Sequence, residues 1–399
     1  MLYLNAKCWW GTSAFRFKIK KKWKWGMLLL MPAVLPLVAG FRTHGLAVFL
    51  KEALASSARR RVGLTSARGY LTADGEIDVG QVRADMAPAL AEGAIHLNSA
   101  GASPSPRPVL QAVVNHLELE ARVGGYEAAA RAAPRLAAVY ASLARLLNCD
   151  PSEVALAESA TAAWQRAVYA VAWRRGDVVF VGAAEYGANM VALLQLARAR
   201  GIEVRRVPSD ARGQIDVAGL DAMAAAAGPR ARAVCLTHVP TNGGLVNPAA
   251  AVGAVARRRG LLYVLDACQS LGQMPVDVAA LGADVACGTG RKFLRGPRGT
   301  GFLYVRRAAM LGQMGEPPTL DHFGAAWVAD DAYRLRPDAR RFEQWESGAA
   351  QRLGLGAAVD YALALGPHRI YRRARRLADL FREGLQEGAR GGGGAGGRS

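Results

Sequence analysis

Residues Leu261 to Arg307 read LLYVLDACQSLGQMPVDVAALGADVACGTGRKFLRGPRGTGFLYVRR, and this stretch decides the fold. An apolar, strand-like run ends in Asp266, and a second one, GFLYV, closes the stretch. Between them Lys292 stands among glycine-rich turns. An isolated lysine in such a place is ordinarily a solvated loop charge. GTGRKF is not a phosphate-cradling Walker loop either, because the G-x-x-x-x-G-K-S/T spacing and the final hydroxyl are both absent. The role of Lys292 therefore depends on what the rest of the chain brings to it.

Upstream, strand-like runs recur at regular intervals: EVALAES, DVVFVGA, EVRRVPSD and RAVCLTHV. Segments with helical periodicity separate them, among them TAAWQRAVYAVAWR, NMVALLQLARARG and PAAAVGAVARRRG. The pattern begins near residue 95 with AIHLNSAGA. A long amphipathic helix follows from about Pro108 to Leu147, broken near VGGYEAA. Strands alternating with such helices predict an α/β domain with a mostly parallel, doubly wound sheet. Ligands in such folds bind at the carboxyl ends of the strands. The residues placed there are Ala160 and Thr161, Tyr186 and Asn189, His238 with Thr241 and Asn242, and Asp266. One polar residue at a strand end is often a helix cap, but several together point to a site.

A chain of 399 residues, 51% of them hydrophobic, is long enough to bury one large core or two moderate ones and is not a disordered protein. The net charge of +19 sits mostly at the ends. Residues 1–62 hold twelve lysines and arginines against Glu52 alone. Residues 367–399 hold eight arginines against Asp379, Glu383 and Glu387, which leaves only +3 between the two ends. No nucleic-acid partner is expected. At the N-terminus, FRFKIKKKWKWG precedes the apolar MLLLMPAVLPLVAG, and an acid-poor stretch then runs to about residue 69, the order of a targeting leader. The apolar run is short for a membrane span and contains two prolines, so no stable span is expected in the mature chain. Organelle or secretory targeting, a membrane anchor, and a mis-assigned start on a cytoplasmic enzyme all remain open. Cys8, Cys149, Cys235, Cys268 and Cys287 are odd in number and lack CxxC or zinc spacing, so neither a disulfide framework nor a metal site is expected.

With Asp266, Gln269 and Lys292 at these spacings, residues 261–307 resemble the core of the class V aminotransferase family, pyridoxal-phosphate (PLP) enzymes of fold type I. The resemblance extends in register from about IHLNSAG to RFEQWES. Within the family, ELEARVGGYEAAARAAP and AAEYGANMVAL look most like the branch that includes hercynylcysteine sulfoxide lyases. Cysteine desulfurases and isopenicillin-epimerase-like proteins are more distantly similar. The resemblance implies a three-layer α/β/α fold with a mostly parallel central sheet, a C-terminal small domain, PLP as cofactor, and a homodimer where the small domain is complete.

It also implies roles residue by residue. Lys292 is the Schiff-base lysine, whose amine must be partly neutral to attack an aldehyde, a state that neighbouring cations and partial burial favour. Asp266 pairs with the pyridine nitrogen and keeps it protonated, so that the ring can accept the electrons of a carbanion. Gln269 donates to the cofactor's phenolic oxygen. The amides of Ala160 and Thr161, with the Thr161 hydroxyl, receive the phosphate at a helix start. Thr289 and Arg291 complete that phosphate site. Thr241 or Asn242 touches the cofactor or the substrate. Trp164 and Tyr186 are candidates to stack on the ring, although such aromatics are more often core. Arg295 and Arg298 either bind a substrate carboxylate or cap their loop. His238 is left out of the catalytic set, and Cys268 is not expected to be a reactive thiol.

The chain departs from the family pattern at two places. Where cysteine desulfurases present a histidine pair, it has Tyr186 and Gly187. Where relatives present a small residue and a threonine toward the partner subunit's phosphate, it has Trp345 and Glu346. The expected organisation is a leader-like or disordered segment over 1–69, a PLP-binding large domain over 70–345, and the start of an incomplete C-terminal domain over 346–399. That last segment ends in the glycine-rich ARGGGGAGGRS, which cannot bury a core. The arginine that usually holds the substrate carboxylate belongs to the part of that domain not present. The expected function is a PLP-dependent transferase or lyase acting on an amino acid, with carbon–sulfur lyase chemistry on a cysteine-derived sulfoxide favoured. A cysteine desulfurase- or epimerase-like aminotransferase and a catalytically impaired scaffold are the alternatives.

Overall fold

The computed structural model of the chain describes residues 67–90 and 95–391. Of the leader expected over 1–69, residues 1–66 lie outside the described residues, as does the tail from residue 392. The described residues belong to one compact unit. Its helices begin with α1 (Val79–Leu90), α2 (Arg107–Val123) and α3 (Gly125–Leu147). Then come β1 (Val154–Ala157), α4 (Ala160–Tyr169), β2 (Val178–Gly182), α5 (Gly187–Arg200), β3 (Glu203–Val207), α6 (Val217–Ala227), β4 (Ala231–Thr237) and α7 (Ala249–Arg259). The Asp266 stretch supplies β5 (Leu262–Asp266), the short α8 (Val278–Leu281), β6 (Val285–Thr289) and β7 (Gly301–Val305). After α9 (Arg307–Gly312) come the hairpin strands β8 (Ala325–Ala329) and β9 (Ala332–Leu335), and the long helices α10 (Ala349–Leu365) and α11 (Pro367–Gly391). The amphipathic helix expected from about Pro108 to Leu147 breaks within VGGYEAA, as expected: two helices part at Gly124, whose φ of 94° is reached without steric cost only by glycine.

Seven strands form one sheet in the order β1-β7-β6-β5-β4-β2-β3. Only β7 runs against its neighbours, antiparallel to both β1 and β6, so the sheet is mostly parallel, as expected. The central strands are apolar throughout because both of their faces are covered. Along β5, Tyr263 and Leu265 join one hydrophobic core with residues of α3, α6, α7 and α10, while Leu262 and Val264 join a second with α4 and α5. The two-residue period of a strand thus divides one short run between two helical layers, giving the three-layer α/β/α fold. Burying each such Leu or Val stabilises the sheet by about 1.5–3 kcal/mol.

Helix α10 packs on α2 and α3. Beyond it, α11 carries Leu377, Leu380, Phe381 and Leu385 exposed on an otherwise strongly basic helix. No helix among the described residues is long and apolar enough to cross a membrane. Because β1, β2, β4, β5 and β6 are parallel, their carboxyl ends lie along a single edge of the sheet, and the site is there.

Candidate active site

All eight residues singled out by the sequence line one pocket at that edge: Ala160, Thr161, Thr241, Asp266, Gln269, Thr289, Arg291 and Lys292. Each arrives there by a local rule. Asp266 is the last residue of β5, and the turn that follows carries Gln269. Ala160 and Thr161 open α4, where Ser159 caps the helix by accepting a 3.1 Å hydrogen bond from the Ala162 amide. That cap leaves the Ala160 and Thr161 amides without an acceptor among the described residues. Gly301, at the start of β7, permits the approach of this helix end: a Cβ there would lie 2.5 Å from the Ser159 carbonyl carbon and 2.7 Å from the Ala160 nitrogen.

Asp266 is 4% exposed and is faced by hydrogen-bond donors. Its Oδ2 accepts from the Asn189 amide at 2.9 Å, and its Oδ1 from the Cys268 backbone N–H at 2.9 Å. It forms no ion pair among the described residues. Behind it lies a residue the sequence reading passed over. Glu185 accepts at a single oxygen, Oε1, from the same Asn189 amide at 2.9 Å, from the Tyr186 N–H at 2.9 Å, and from the Thr237 hydroxyl. Asn189 therefore holds both carboxylates at once. The other oxygen, Glu185 Oε2, is closed off from solvent and has no partner among the described residues. Burial, and then the Asp266 charge, pushes the Glu185 carboxyl up. The signal was available in GAAEYGAN, where a glutamate just past a strand stands four residues before an asparagine.

A carboxyl whose folded pKa is raised costs nothing below its unfolded value and becomes a burden as pH rises through the folded one. Glu185→Gln keeps the acceptor at Oε1 and places an amide where Oε2 has no partner. It is expected to leave the melting temperature nearly unchanged at pH 4–5 and to raise it by about 2 °C or more at pH 8–9. Melting curves of the two proteins across that range check this, and a gain that does not grow with pH would contradict it.

Lys292, in the turn between β6 and β7, is 6% exposed, and its Nζ makes no ion pair or hydrogen bond among the described residues. Its neighbour is the Tyr186 ring, with Nζ 5.9 Å from the ring centroid. Gln269 is 4% exposed; its amide donates to the Ala100 carbonyl at 3.1 Å, its second hydrogen is unspent, and its Oε1 has no partner among the described residues. Arg291 reaches into the pocket while one guanidinium nitrogen donates to the Gly101 carbonyl. The Thr289 hydroxyl donates to the Thr300 carbonyl at 3.2 Å, so toward an anion it offers position rather than a free hydrogen.

The structure separates the remaining candidates. Of the pair Thr241 and Asn242, only Thr241 lines the pocket. Tyr186 lines it, whereas Trp164 is 1% exposed in the second core, and its burial on the core face of α4 excludes it as a ring-stacking residue. His238 is buried outside the pocket, and burial depresses it to about 4, so it is neutral at physiological pH. Arg295 stacks on Tyr361, 5.1 Å from its ring centroid, and Arg298 lines a separate cavity with Arg166 and Arg352. Trp345 and Glu346 also lie away from the pocket. The Trp345 amide donates to Asp321 at 2.8 Å, and Glu346 lines the Arg298 cavity.

This donor set fits PLP. Two unspent helix amides beside Arg291 suit a phosphate. A buried carboxylate paired with no cation suits a protonated ring nitrogen, a buried amide with an unspent hydrogen suits a phenolic oxygen, and an unpaired buried lysine suits an aldehyde. The comparisons agree. Residues 95–390 match the Aminotransferase class-V family. A probable cysteine desulfurase of Methanothermobacter thermautotrophicus is 32% identical over 288 residues, 71% of this chain and 70% of that protein. A probable hercynylcysteine sulfoxide lyase of Mycobacterium tuberculosis is 31% identical over 332 residues, 83% of this chain and 76% of that protein. Among solved structures, the apo cysteine desulfurase of Thermococcus onnurineus matches with a TM-score of 0.70 at 25% identity, covering 77% of this chain and 76% of that one. A lysine-to-alanine mutant of C-DES, with glycine covalently linked to its PLP cofactor, matches with a TM-score of 0.69 at 25% identity, covering 76% of this chain and 80% of that one. With the sheet order, the strand-end acid and the unpaired lysine all in agreement, the chain belongs to the class V aminotransferase family and is a PLP-dependent enzyme of that family.

Proposed function

We propose that the chain is a carbon–sulfur lyase that cleaves a cysteine-derived amino-acid sulfoxide. The observation that carries this reading is Tyr186: an aromatic phenol, not an imidazole, stands over the Lys292 amine. Cysteine desulfurases, to one of which the chain is as similar as it is to the sulfoxide lyase, are expected to present a histidine at this place. The long match to the hercynylcysteine sulfoxide lyase supports the same choice. Bound PLP supplies an electron sink for the pair left when the substrate's α-proton is removed.

The chain's own residues do the rest. The amides of Ala160 and Thr161, with Arg291, hold the phosphate end. Asp266, fixed by Asn189 and the Cys268 N–H, keeps a proton on the ring nitrogen. Lys292 takes the α-proton at Nζ, within a pocket that Tyr186 screens from water. The Cβ–S bond then breaks and its electron pair leaves on the sulfur as a sulfenate. Hydrolysis of the remaining three-carbon fragment gives pyruvate and ammonia. No acid is needed to expel a sulfenate, which is a better leaving group than a thiolate, so a site without histidine suffices.

Holoenzyme given an S-alkyl-L-cysteine sulfoxide is expected to release pyruvate and ammonia in equal amounts. Given L-cysteine, it is expected to form little alanine. Alanine and sulfide from L-cysteine, with no pyruvate from the sulfoxide, would assign the chain to the desulfurase reading instead.

A further inference from the structure

The cysteine spacing predicts no metal site, yet the fold assembles a set of donors that sequence spacing conceals. Strands β5 and β6 pair in parallel with Asp266 opposite Cys287, and the Ala267 N–H donates to the Cys287 carbonyl at 2.9 Å. The turn after β5 folds Cys268 back, its own N–H on Asp266 Oδ1. As a result a carboxylate oxygen of Asp266 and the two sulfurs of Cys268 and Cys287 all lie within 4.8 Å of one another. Cys268 lines the cofactor pocket, and Cys287 lies beneath it at 1% exposure.

We infer that Asp266, Cys268 and Cys287 form a binding site for a thiophilic divalent cation, Zn²⁺ or Cd²⁺, at the floor of the pocket, and that this cation and the cofactor exclude one another. Two sulfurs and one oxygen select a soft cation over Mg²⁺ or Ca²⁺. Three protein ligands leave the fourth tetrahedral position facing the open pocket, which is also the entry path. Zn–S bonds of about 2.3 Å set the sulfurs about 3.8 Å apart, so side-chain rotation of about 1 Å closes the site. The cation displaces the two thiol protons to solvent, and with the Asp266 carboxylate the occupied site carries one net negative charge. Asp266 cannot then hold a proton on the cofactor's ring nitrogen, and the cation fills space the ring requires. The exclusion half of this inference rests on the reading that Asp266 faces the cofactor; the binding half does not.

The test uses the full chain, stripped of cofactor and titrated with Cd²⁺. One equivalent is expected to bind with the near-ultraviolet charge-transfer absorption of thiolate–cadmium bonds. Cys287→Ala and Cys268→Ala are each expected to lose that absorption, while Cys149→Ala, altered outside the site, keeps it. Prior loading with PLP is expected to weaken Cd²⁺ binding at least tenfold. An undiminished signal in both Cys268→Ala and Cys287→Ala overturns the site. A signal lost in both but indifferent to PLP overturns the exclusion, and with it the assignment of Asp266 to the ring.

Discussion

In a Lys292→Ala chain, borohydride reduction in the presence of PLP is expected to leave no cofactor attached, and turnover is expected to fall at least about 10³-fold, within the range set by losing the group that moves the proton. The structure makes this a clean experiment. Lys292 is buried without an ion pair or hydrogen bond among the described residues, so its side chain supports no other element. Removing a buried, unpaired amine relieves a desolvation cost rather than creating one. The variant should therefore fold, with the circular dichroism and melting temperature of the apoprotein retained. No other lysine lines the pocket, so none can substitute for it. Mass spectrometry of the reduced, digested protein gives the answer: the cofactor mass belongs on the peptide that contains Lys292. A label that persists in Lys292→Ala would remove this residue from the covalent role.

Asp266→Asn should be costlier to the fold and almost as costly to the chemistry. The donors around Asp266 explain why. Asn189 and the Cys268 N–H both give hydrogens to the carboxylate, at 2.9 Å each. An asparagine in its place must turn its own NH₂ toward one of them, which leaves two donors face to face at a cost of about 1–3 kcal/mol. The charge proposed to keep the ring nitrogen protonated is also lost. A fall in kcat/KM of about 10²–10³ is expected, comparable with removal of an oriented electrostatic partner, together with a lower melting temperature. Asp266→Ala removes the charge together with both acceptors, so Asn189 and the Cys268 N–H are each left without their partner. It should lose as much activity, with a melting temperature also below that of the parent. Equal activity in the Asn variant and the parent would mean that no ring nitrogen depends on this carboxylate.

The parts of the fold that could be read from the sequence are those whose signals are local. The runs that became β2, β4 and β5 are apolar because both of their faces are covered, and the helices between them show their periodicity openly. Strand β6 carried no such signal, since VACGT is short and mixes small residues with Gly288. The hairpin β8–β9 was also unread, because its exposed Trp327 and Tyr333 do not alternate against a core. The eight pocket residues were legible through the family resemblance, and the topology then placed them at one edge. Glu185, Asn189 and Cys287 were not assigned roles, because those depend on which strands are neighbours. Only the pairing of β5 with β6, and of β4 with β5, puts Cys287 and Thr237 beside Asp266.

The reversed strand β7 has a consequence in time as well as in space. Strands β5, β6 and β7 follow one another in the chain and adjoin one another in the sheet, so the acid and the lysine are brought together by short loop closures. Strand β1, which leads into the end of α4 proposed to hold the phosphate, reaches the sheet only by pairing with β7 from far along the chain. Long closures are the slow ones. The chemical half of the pocket should therefore gain protection in pulsed hydrogen exchange before the phosphate half. Simultaneous protection of β1 and β6 would speak against that order. In this sequence of events, the site acquires the residues that react before it acquires those that retain.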